Sequence, residues 1–309
     1  MARPLVTPGG PLATVFAGLA VGLLRALPRR WLLACARGAG RLAMALGIRR
    51  AVTLDNLARA FPEKPPRELH AIAAGAYTNM AMAAVEGLVS TRGPEPSREV
   101  TVENYEVIQA ALDRGQGVLV AMAHLGSWEV LGELMAQRGV PLHAVVRPLK
   151  GAFNAILMKA RMDSGLKLIP ARGAIRGAVQ ALQQGGVVVM LVDQVLPNPS
   201  AVFVPFFGRL AATSPALSAA AMRSGAPVFA ASALRDGDAI RCRIEGPFPV
   251  PDSGNRHQDL VDHTAAVTAA IEGFIRRAPE QWLWLHRRWK VAPPEAGPPT
   301  QRAGADPRE

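Results

Sequence analysis

The first 54 residues of this 309-residue chain contain no aspartate or glutamate, and Asp55 is the first acidic residue. The same stretch contains eight arginines, so eight of the eleven net positive charges lie there. The mean hydropathy is +0.15, which is high for a soluble enzyme and indicates contact with lipid. A basic, apolar N-terminus fits the anionic surface of a membrane and predicts the membrane as a partner.

Aromatic residues, charged residues and cysteines are also scarce. Charged residues make up 19% of the chain and hydrophobic residues 50%, which excludes general disorder. Aromatics account for 5%, and no basic stripe is interleaved with them, so a nucleic-acid partner is not expected. Cys35 and Cys242 stand outside any CxxC or His/Cys cluster. We expect two buried thiols in a reducing compartment, with no disulfide and no metal.

Residues 1–50 are predicted to form a helical membrane anchor. The apolar run 12–24 would span only about 20 Å as a helix, short of a hydrocarbon core of about 30 Å. Residues 31–48 form a second apolar stretch, so we expect one shallow span followed by an interfacial helix. Three arginines follow the first run, which argues against a cleaved signal peptide and places the body on the cytoplasmic side: Arg25, Arg29 and Arg30.

The remainder, 51–292, is predicted to be one α/β domain. Short apolar runs at 117–123, 141–146, 166–170 and 187–192 alternate with helical patterns of ten or more residues. Two further strands are expected at 227–234 and 239–245, and a long helix at 257–277. This alternation indicates a mostly parallel central sheet flanked by helices. Residues 293–309, rich in proline, glycine and charge, are expected to form a disordered tail.

Two of the predicted strands end in polar side chains. His124 follows the run 117–123, and Asp193 with Gln194 follows the run 187–192. In open α/β sheets, ligands bind outside the carboxyl ends of the strands. Placement alone therefore makes both ends candidate sites.

The segment after His124 suggests a catalytic pair. Gly126 permits a tight turn from strand to helix, and Ser127 is a suitable helix cap. Glu129 then lies in the first helical turn, where its carboxylate is expected to orient the imidazole and stabilise its protonated form. His124 would act as general base toward an alcohol, and the acceptor's own hydroxyl would be the nucleophile. A structural histidine and a surface glutamate remain the alternative.

The string AHLGSWE, residues 123–129, resembles the active-site motif of the bacterial lipid A late acyltransferases, the lauroyl/myristoyl transferase family related to glycerophospholipid acyltransferases. Five further blocks match this family in order: Arg147-Pro148, Arg161-x3-Gly165, Leu191-Val-Asp-Gln194, Val204-Pro-Phe-Phe-Gly-Arg209 and the run PEQWLWLHRRWK at 279–290. The resemblance covers roughly residues 50–290. The family commonly has Asn where this chain has Ser127.

The resemblance implies a glycerolipid-acyltransferase-like fold and roles for several residues. His124 would be the base and Glu129 its partner. Arg161 would polarise a thioester carbonyl or stabilise the oxyanion, and a salt-bridge or membrane-face arginine is the alternative. Substrate contacts are expected from Ser127, Arg147, Asp193, Gln194, Phe206, Phe207 and Arg209. The two phenylalanines would line the acyl path or dip into the bilayer, or else pack in the core. The tryptophans at 282, 284 and 289 are expected to form a packed seam or an interfacial belt.

The implied reaction moves a fatty acyl chain from an acyl-carrier protein or CoA thioester to a glycolipid hydroxyl at the bacterial inner membrane. No cofactor is implied beyond this co-substrate. One alternative keeps the chemistry but uses acyl-CoA and a phosphatidylinositol mannoside. A metal-dependent hydrolase with His124 and Glu129 as ligands is disfavoured, because no third ligand stands at helical spacing. A non-enzymatic membrane scaffold would leave the two polar strand ends unexplained.

Overall fold

The computed structural model describes residues 10–89, 99–147, 151–197 and 199–293. Four helices precede the sheet: α1 Pro11–Ala26, α2 Arg29–Ala45, α3 Arg50–Ala60 and α4 Pro66–Val89. The predicted tail falls, except for Pro293, outside the described residues, as do residues 1–9 of the predicted anchor.

The body alternates strands and helices, as the sequence predicts. Its elements are β1 Val100–Glu103, α5 Tyr105–Leu112, β2 Val118–Met122, α6 Trp128–Gln137, β3 Leu142–Val146, α7 Ala152–Asp163, β4 Lys167–Pro170, α8 Ala174–Gln183, β5 Val187–Leu191, β6 Val202–Phe206, β7 Arg209–Thr213, α9 Ala216–Ser224, β8 Val228–Asp236, β9 Ala239–Glu245 and α10 Arg256–Arg277.

Seven strands form one mixed sheet in the order β1-β9-β8-β2-β5-β3-β4. Every neighbouring pair is parallel except β8 with β9, which run antiparallel as a hairpin. Strands β2 and β5 are neighbours, with Met122 opposite Leu191. The carboxyl ends of these two strands therefore meet at one edge of the sheet, and this edge carries the polar side chains.

Three elements were not expected from the sequence: β1, α5 and the separate two-stranded β6–β7 hairpin. Pro205 interrupts the apolar run in β6, and the tight turn uses Phe207 and Gly208, both with positive φ. Pro205 and Gly208 make this segment resemble a loop in sequence, although its buried residues pair regularly across the hairpin.

Helices α1 and α2 lie against the body. Ala17 and Val21 of α1 are buried, and the helix contacts α4 and α7. At 16 residues, α1 is about 24 Å long. Within the described ranges, no single helix is long and apolar enough to cross a bilayer; α2 and α3 meet that test together, but the chain bends by 90° between them.

Buried polar contacts join α2 and α4 to the sheet. Glu86 of α4 forms ion pairs with Arg29, at the start of α2, and with Arg235 near the end of β8. Arg235 also donates from Nε to Asn79 Oδ1 at 2.8 Å. Asn79 in turn donates to the backbone oxygens of Gly126 and Gln281. This network ties the N-terminal helices to the loop that follows β2.

Candidate active site

His124 and Asp193 form a hydrogen-bonded pair where β2 and β5 end. Nδ1 of His124 lies 2.9 Å from Oδ1 of Asp193, and the backbone N–H of His124 donates to Oδ2 at 3.0 Å. The indole N–H of Trp282 donates to the same Oδ2 at 2.8 Å. Asp193 is buried, whereas the His124 side chain keeps 22% of its surface exposed. Among the described residues, Nε2 of His124 has no hydrogen-bond partner.

The pair shifts the pKa values of both groups. Burial acts to lower the pKa of His124, but the charge and hydrogen bond of Asp193 outweigh it and raise the pKa above the ordinary histidine value. Burial likewise acts to raise the pKa of Asp193, and the contacts with His124 and Trp282 instead lower it to about 2. Asp193 is therefore ionised near neutral pH and stabilises a proton on the imidazole.

The carboxylate that bonds the imidazole is Asp193, and the expectation that Glu129 would do so is wrong. Glu129 lies in the first turn of α6 and is turned toward α7, where Arg161 donates to both carboxylate oxygens, with Nε–Oε2 at 3.0 Å. Trp128 also donates from its indole N–H to Oε1 of Glu129 at 3.0 Å. These donors satisfy Glu129, which acts on His124 through its charge alone.

The turn after His124 depends on Gly126. This residue has φ +65°, and a Cβ added there would lie 2.0 Å from the backbone oxygen of Ala233 in β8. Only glycine allows this close approach. Ser127 then donates its backbone N–H to the same oxygen. The loop carrying the imidazole is thus packed directly on β8.

A cavity of about 640 Å³ lies beside the imidazole. His124, Glu129, Arg161, Arg147 and Gln194 all line it. Other wall residues come from α4 and α7, the two helices that contact α1. The structure therefore gathers five of the predicted site residues around one space.

A second, narrow cavity of about 130 Å³ extends from this site along one face of the sheet. Alternate residues of β5 form part of its floor: Leu191, Val189 and Val187. Six residues line both cavities: Trp128, Glu129, Val145, Val146, Arg161 and Leu191. The Glu129–Arg161 pair therefore lies where the two cavities meet.

Comparison with known proteins identifies the family of this chain. Residues 11–291 match the family model described as bacterial lipid A biosynthesis acyltransferase. The chain belongs to that family.

Two relatives come from Escherichia coli. The chain is 29% identical to the lipid A biosynthesis palmitoleoyltransferase over 79% of its own length and 80% of that protein. It is 28% identical to the lipid A biosynthesis lauroyltransferase, over 83% of its own length and 84% of that protein. A third relative is the phosphatidylinositol mannoside acyltransferase of Mycolicibacterium smegmatis, at 24% identity and 62% of each chain. The protein is thus an acyltransferase of lipid A or glycolipid type.

Several residues predicted to bind substrate do not reach either cavity of this acyltransferase. Ser127 is fully buried at the start of α6, its hydroxyl has no partner among the described residues, and it makes no capping bond. Phe206 and Phe207 pack in the core against Trp282 and Trp284, which bears out the core alternative. Arg209 lies exposed on the β6–β7 hairpin. These side chains lie in the core or on the surface, away from both cavities.

Trp282 is the site residue whose contact was not expected. Its neighbour on the chain Gln281 clamps Arg235, accepting its N–H and donating to its C=O. The sequence signal is the run PEQWLWLHRRWK, whose tryptophans predict a packed seam or an interfacial belt and no contact with a catalytic carboxylate.

Within the part of the chain that the structure describes, no three His, Cys, Asp or Glu side chains lie together as a metal site. Cys242 is buried as expected, whereas Cys35 is exposed.

Proposed function

We propose that this protein transfers a fatty acyl chain from a thioester to a hydroxyl of a lipid A precursor or a related glycolipid, with His124 as general base. The observation that carries the proposal is the His124–Asp193 hydrogen bond beside an open cavity. Asp193 accepts from Nδ1, so the neutral ring presents the unprotonated Nε2. No protein nucleophile is needed.

The chemistry follows in two steps. The acceptor oxygen attacks the thioester carbonyl carbon while its proton passes to Nε2, and a tetrahedral oxyanion forms. The oxyanion then collapses and breaks the carbon–sulfur bond. The imidazolium returns the proton to the leaving sulfur, which yields an ester and a free thiol. Asp193 stabilises the imidazolium between these steps.

The Glu129–Arg161 pair is suited to hold the thioester carbonyl at the junction of the cavities. Arg161 donates hydrogen bonds to Glu129 from Nε and one terminal nitrogen. Its other terminal nitrogen, Nη1, contacts the sulfur of Met158 at 3.9 Å. That contact is weak compared with a hydrogen bond to a developing oxyanion. In this arrangement Glu129 fixes the guanidinium and Arg161 stabilises the charge.

The narrow cavity is suited to take the acyl chain. From Leu191 to Val187 its floor follows β5 for about 13 Å, at about 3.3 Å per residue. Helix α6 forms part of its wall, through Leu131, Gly132 and Met135. An apolar pocket that begins at the reacting carbonyl would select chains by length.

Replacing Gly132 tests this assignment. A Cβ at Gly132 would meet only Leu166 at 3.6 Å, so a side chain can be added without displacing backbone. We expect Gly132→Leu to shorten the preferred acyl chain by about four carbons, the number that the leucine side chain brings into the pocket. Competition between thioesters of different length, read by mass spectrometry of the product, measures the shift.

Gly273→Leu is the matched control, because Gly273 also lies in a helix and a Cβ there meets nothing within 4 Å. It should keep the native length preference. Equal slowing of all chain lengths by Gly132→Leu would contradict the pocket assignment.

We also propose that helices α1 and α2 hold the protein at the cytoplasmic face of the inner membrane. Five apolar side chains of α1 are exposed, with Phe16 at 72%: Leu12, Val15, Phe16, Leu19 and Leu23. Arg30, Arg37 and Arg41 lie exposed on the adjoining helix α2, where they would meet anionic head groups. The large cavity is walled by α4 and α7, which both contact α1, so a lipid acceptor could enter without leaving the bilayer.

Leu19→Asp should weaken binding to anionic vesicles about tenfold or more, since a charge would enter the apolar layer. Flotation of the protein with vesicles measures the effect. Leu210→Asp supplies the control, as Leu210 is an exposed leucine on the β6–β7 hairpin. If both variants float like the native protein, α1 is not the contact surface.

Lipid A precursors are the acceptors favoured by the two E. coli relatives, and the mannoside acyltransferase of M. smegmatis supports the alternative. The deciding experiment gives purified protein each acceptor with acyl-carrier-protein and CoA thioesters in turn. We expect acyl transfer to the lipid A precursor to be fastest, with the thioester as sole co-substrate. Faster acylation of the mannoside with acyl-CoA would favour the second candidate, and transfer to neither would refute the proposal.

A further inference from the structure

The segment 279–284 lies between the His124 loop and the end of β8. Leu125 and Trp282 form an isolated antiparallel bridge. The backbone N–H of Gly126 donates to the C=O of Gln281, and that of Leu283 donates to the C=O of His124. On its other side, the Gln281 amide bonds both backbone groups of Arg235. The backbone at Trp282 is therefore fixed from two directions.

The Trp282 side chain is fixed as well. It is 1% exposed, and its ring packs at right angles to that of Trp284, with centroids 4.5 Å apart. The ring of Phe206 also packs on it, with the two ring centroids 5.5 Å apart. This packing fixes the direction of the indole N–H, which donates to Oδ2 of Asp193 with Nε1–Oδ2 at 2.8 Å.

We propose that Trp282 is a positioning residue for the general base. The inference rests on the proposed function of His124. Two N–H groups, from Trp282 and from the backbone of His124, converge on Oδ2 of Asp193. They hold the carboxylate so that Oδ1 is left for Nδ1 of the imidazole. Trp282 touches neither cavity, so it acts on catalysis through Asp193 alone.

Removal of the indole N–H leaves Oδ2 with one donor, the backbone N–H of His124. The carboxylate is then free to rotate about its Cβ–Cγ bond, and Oδ1 leaves its place opposite Nδ1 for part of the time. The ring loses its fixed orientation and tautomer during those intervals. Turnover should therefore fall, while the walls that bind both substrates stay intact.

Other charged and titratable groups surround the pair and remain in place in this experiment. Glu129 and Arg161 face His124 from α6 and α7. His286 and Arg288, both from the C-terminal segment, and Arg49 contribute to the electrostatics around the pair. A shift in pH dependence after a change at position 282 alone would thus report on the His124–Asp193 coupling.

Trp284 offers a matched control. It is as buried as Trp282 and belongs to the same aromatic cluster, but its indole N–H donates to the backbone oxygen of Pro279. Trp282→Phe and Trp284→Phe remove the same atoms from the core. Only the first removes a donor to Asp193.

In the full-length protein, we expect Trp282→Phe to lower kcat about 10-fold to 100-fold, the usual effect of losing a hydrogen bond to a charged group, with KM nearly unchanged. The acid limb of its kcat profile should move to lower pH, because burial of the imidazole would then be less opposed by Asp193. Trp284→Phe should keep both the native kcat, within about threefold, and the native acid limb.

A second substitution at position 282 separates loss of the N–H from misfolding of the phenylalanine variant. Site-specific β-(3-benzothienyl)alanine at position 282 keeps the ring shape but has sulfur in place of the N–H, and it should reproduce the loss of kcat. A native kcat and profile in that protein, or equal losses in the two phenylalanine variants, would overturn the proposal. If His124→Ala were as active as the native protein, the proposed function itself would be refuted. If His124→Ala is inactive but the variants at position 282 keep native kcat, the proposed function stands and only the role of Trp282 is refuted.

Discussion

Replacement of Asp193 by asparagine should lower kcat about 10³-fold with little change in KM. Oδ2 of Asp193 accepts from the backbone N–H of His124 and from the indole of Trp282. Those two donors favour the amide oxygen at that position, which turns the amide NH₂ toward Nδ1. Nδ1 must then accept, the ring proton moves to Nε2, and the nitrogen facing the cavity can no longer act as a base.

The pH dependence provides a second signature of Asp193→Asn. In the native protein, activity should rise with pH through the raised pKa of His124, because the base must be neutral. Without the negative charge, burial dominates, the pKa of His124 falls, and the acid limb moves to lower pH while the plateau is lower. Initial rates at saturating substrate across the pH range measure both effects.

Asp259→Asn is the control for losing a buried carboxylate. Asp259 is 4% exposed and accepts from the backbone and hydroxyl of Ser253, away from both cavities described at the active site. This variant should lose stability but keep kcat. Normal turnover in Asp193→Asn would contradict the proposed tautomer control.

Replacement of His124 by alanine should lower turnover about 10²-fold or more while the protein stays folded. The ring is partly exposed beside the cavity, so its loss removes little core packing. Substrate binding should change little, because the proposed acyl pocket and Arg161 are unaffected. Single-turnover rates with saturating acceptor separate this chemical defect from a binding defect.

His143→Ala is a useful companion to this variant. His143 is buried at the start of β3, bonds the backbone oxygen of Pro141 and lines neither cavity. Its loss should lower the melting temperature without a comparable fall in turnover. Near-native activity in His124→Ala would refute the assignment of the general base.

The sequence predicts the α/β body well, because alternating apolar runs and helical patterns are local signals. Strands β2 and β5 and helix α10 lie within a residue or two of their expected limits. The β6–β7 hairpin was missed because its apolar run contains Pro205 and ends in a glycine turn. Local composition there resembles a loop, and only pairing between its two strands distinguishes it.

The partner of His124 could not be found from chain spacing. Glu129 is five residues away in sequence, but the first turn of α6 directs it to Arg161. Asp193 is 69 residues away, yet β5 lies beside β2, so the two strand ends adjoin. Strand order depends on how the crossover helices pack, and short sequence patterns do not encode it. Both polar strand ends were identified, but not their contact.

Arg29 has a practical consequence for experiments with shortened proteins. A truncation after residue 50, made to obtain a protein that is easier to purify in water, would also delete Arg29, which forms an ion pair with Glu86 as Arg235 does. It would uncover the α4 surface that Leu32, Leu33 and Ala36 cover through the packing of α2 on α4. Arg235, which also pairs with Glu86, has its backbone N–H and C=O bonded by the amide of Gln281, the neighbour of Trp282. An inactive truncated enzyme would therefore report damage to the site at the ends of β2 and β5 as well as loss of the proposed membrane contact.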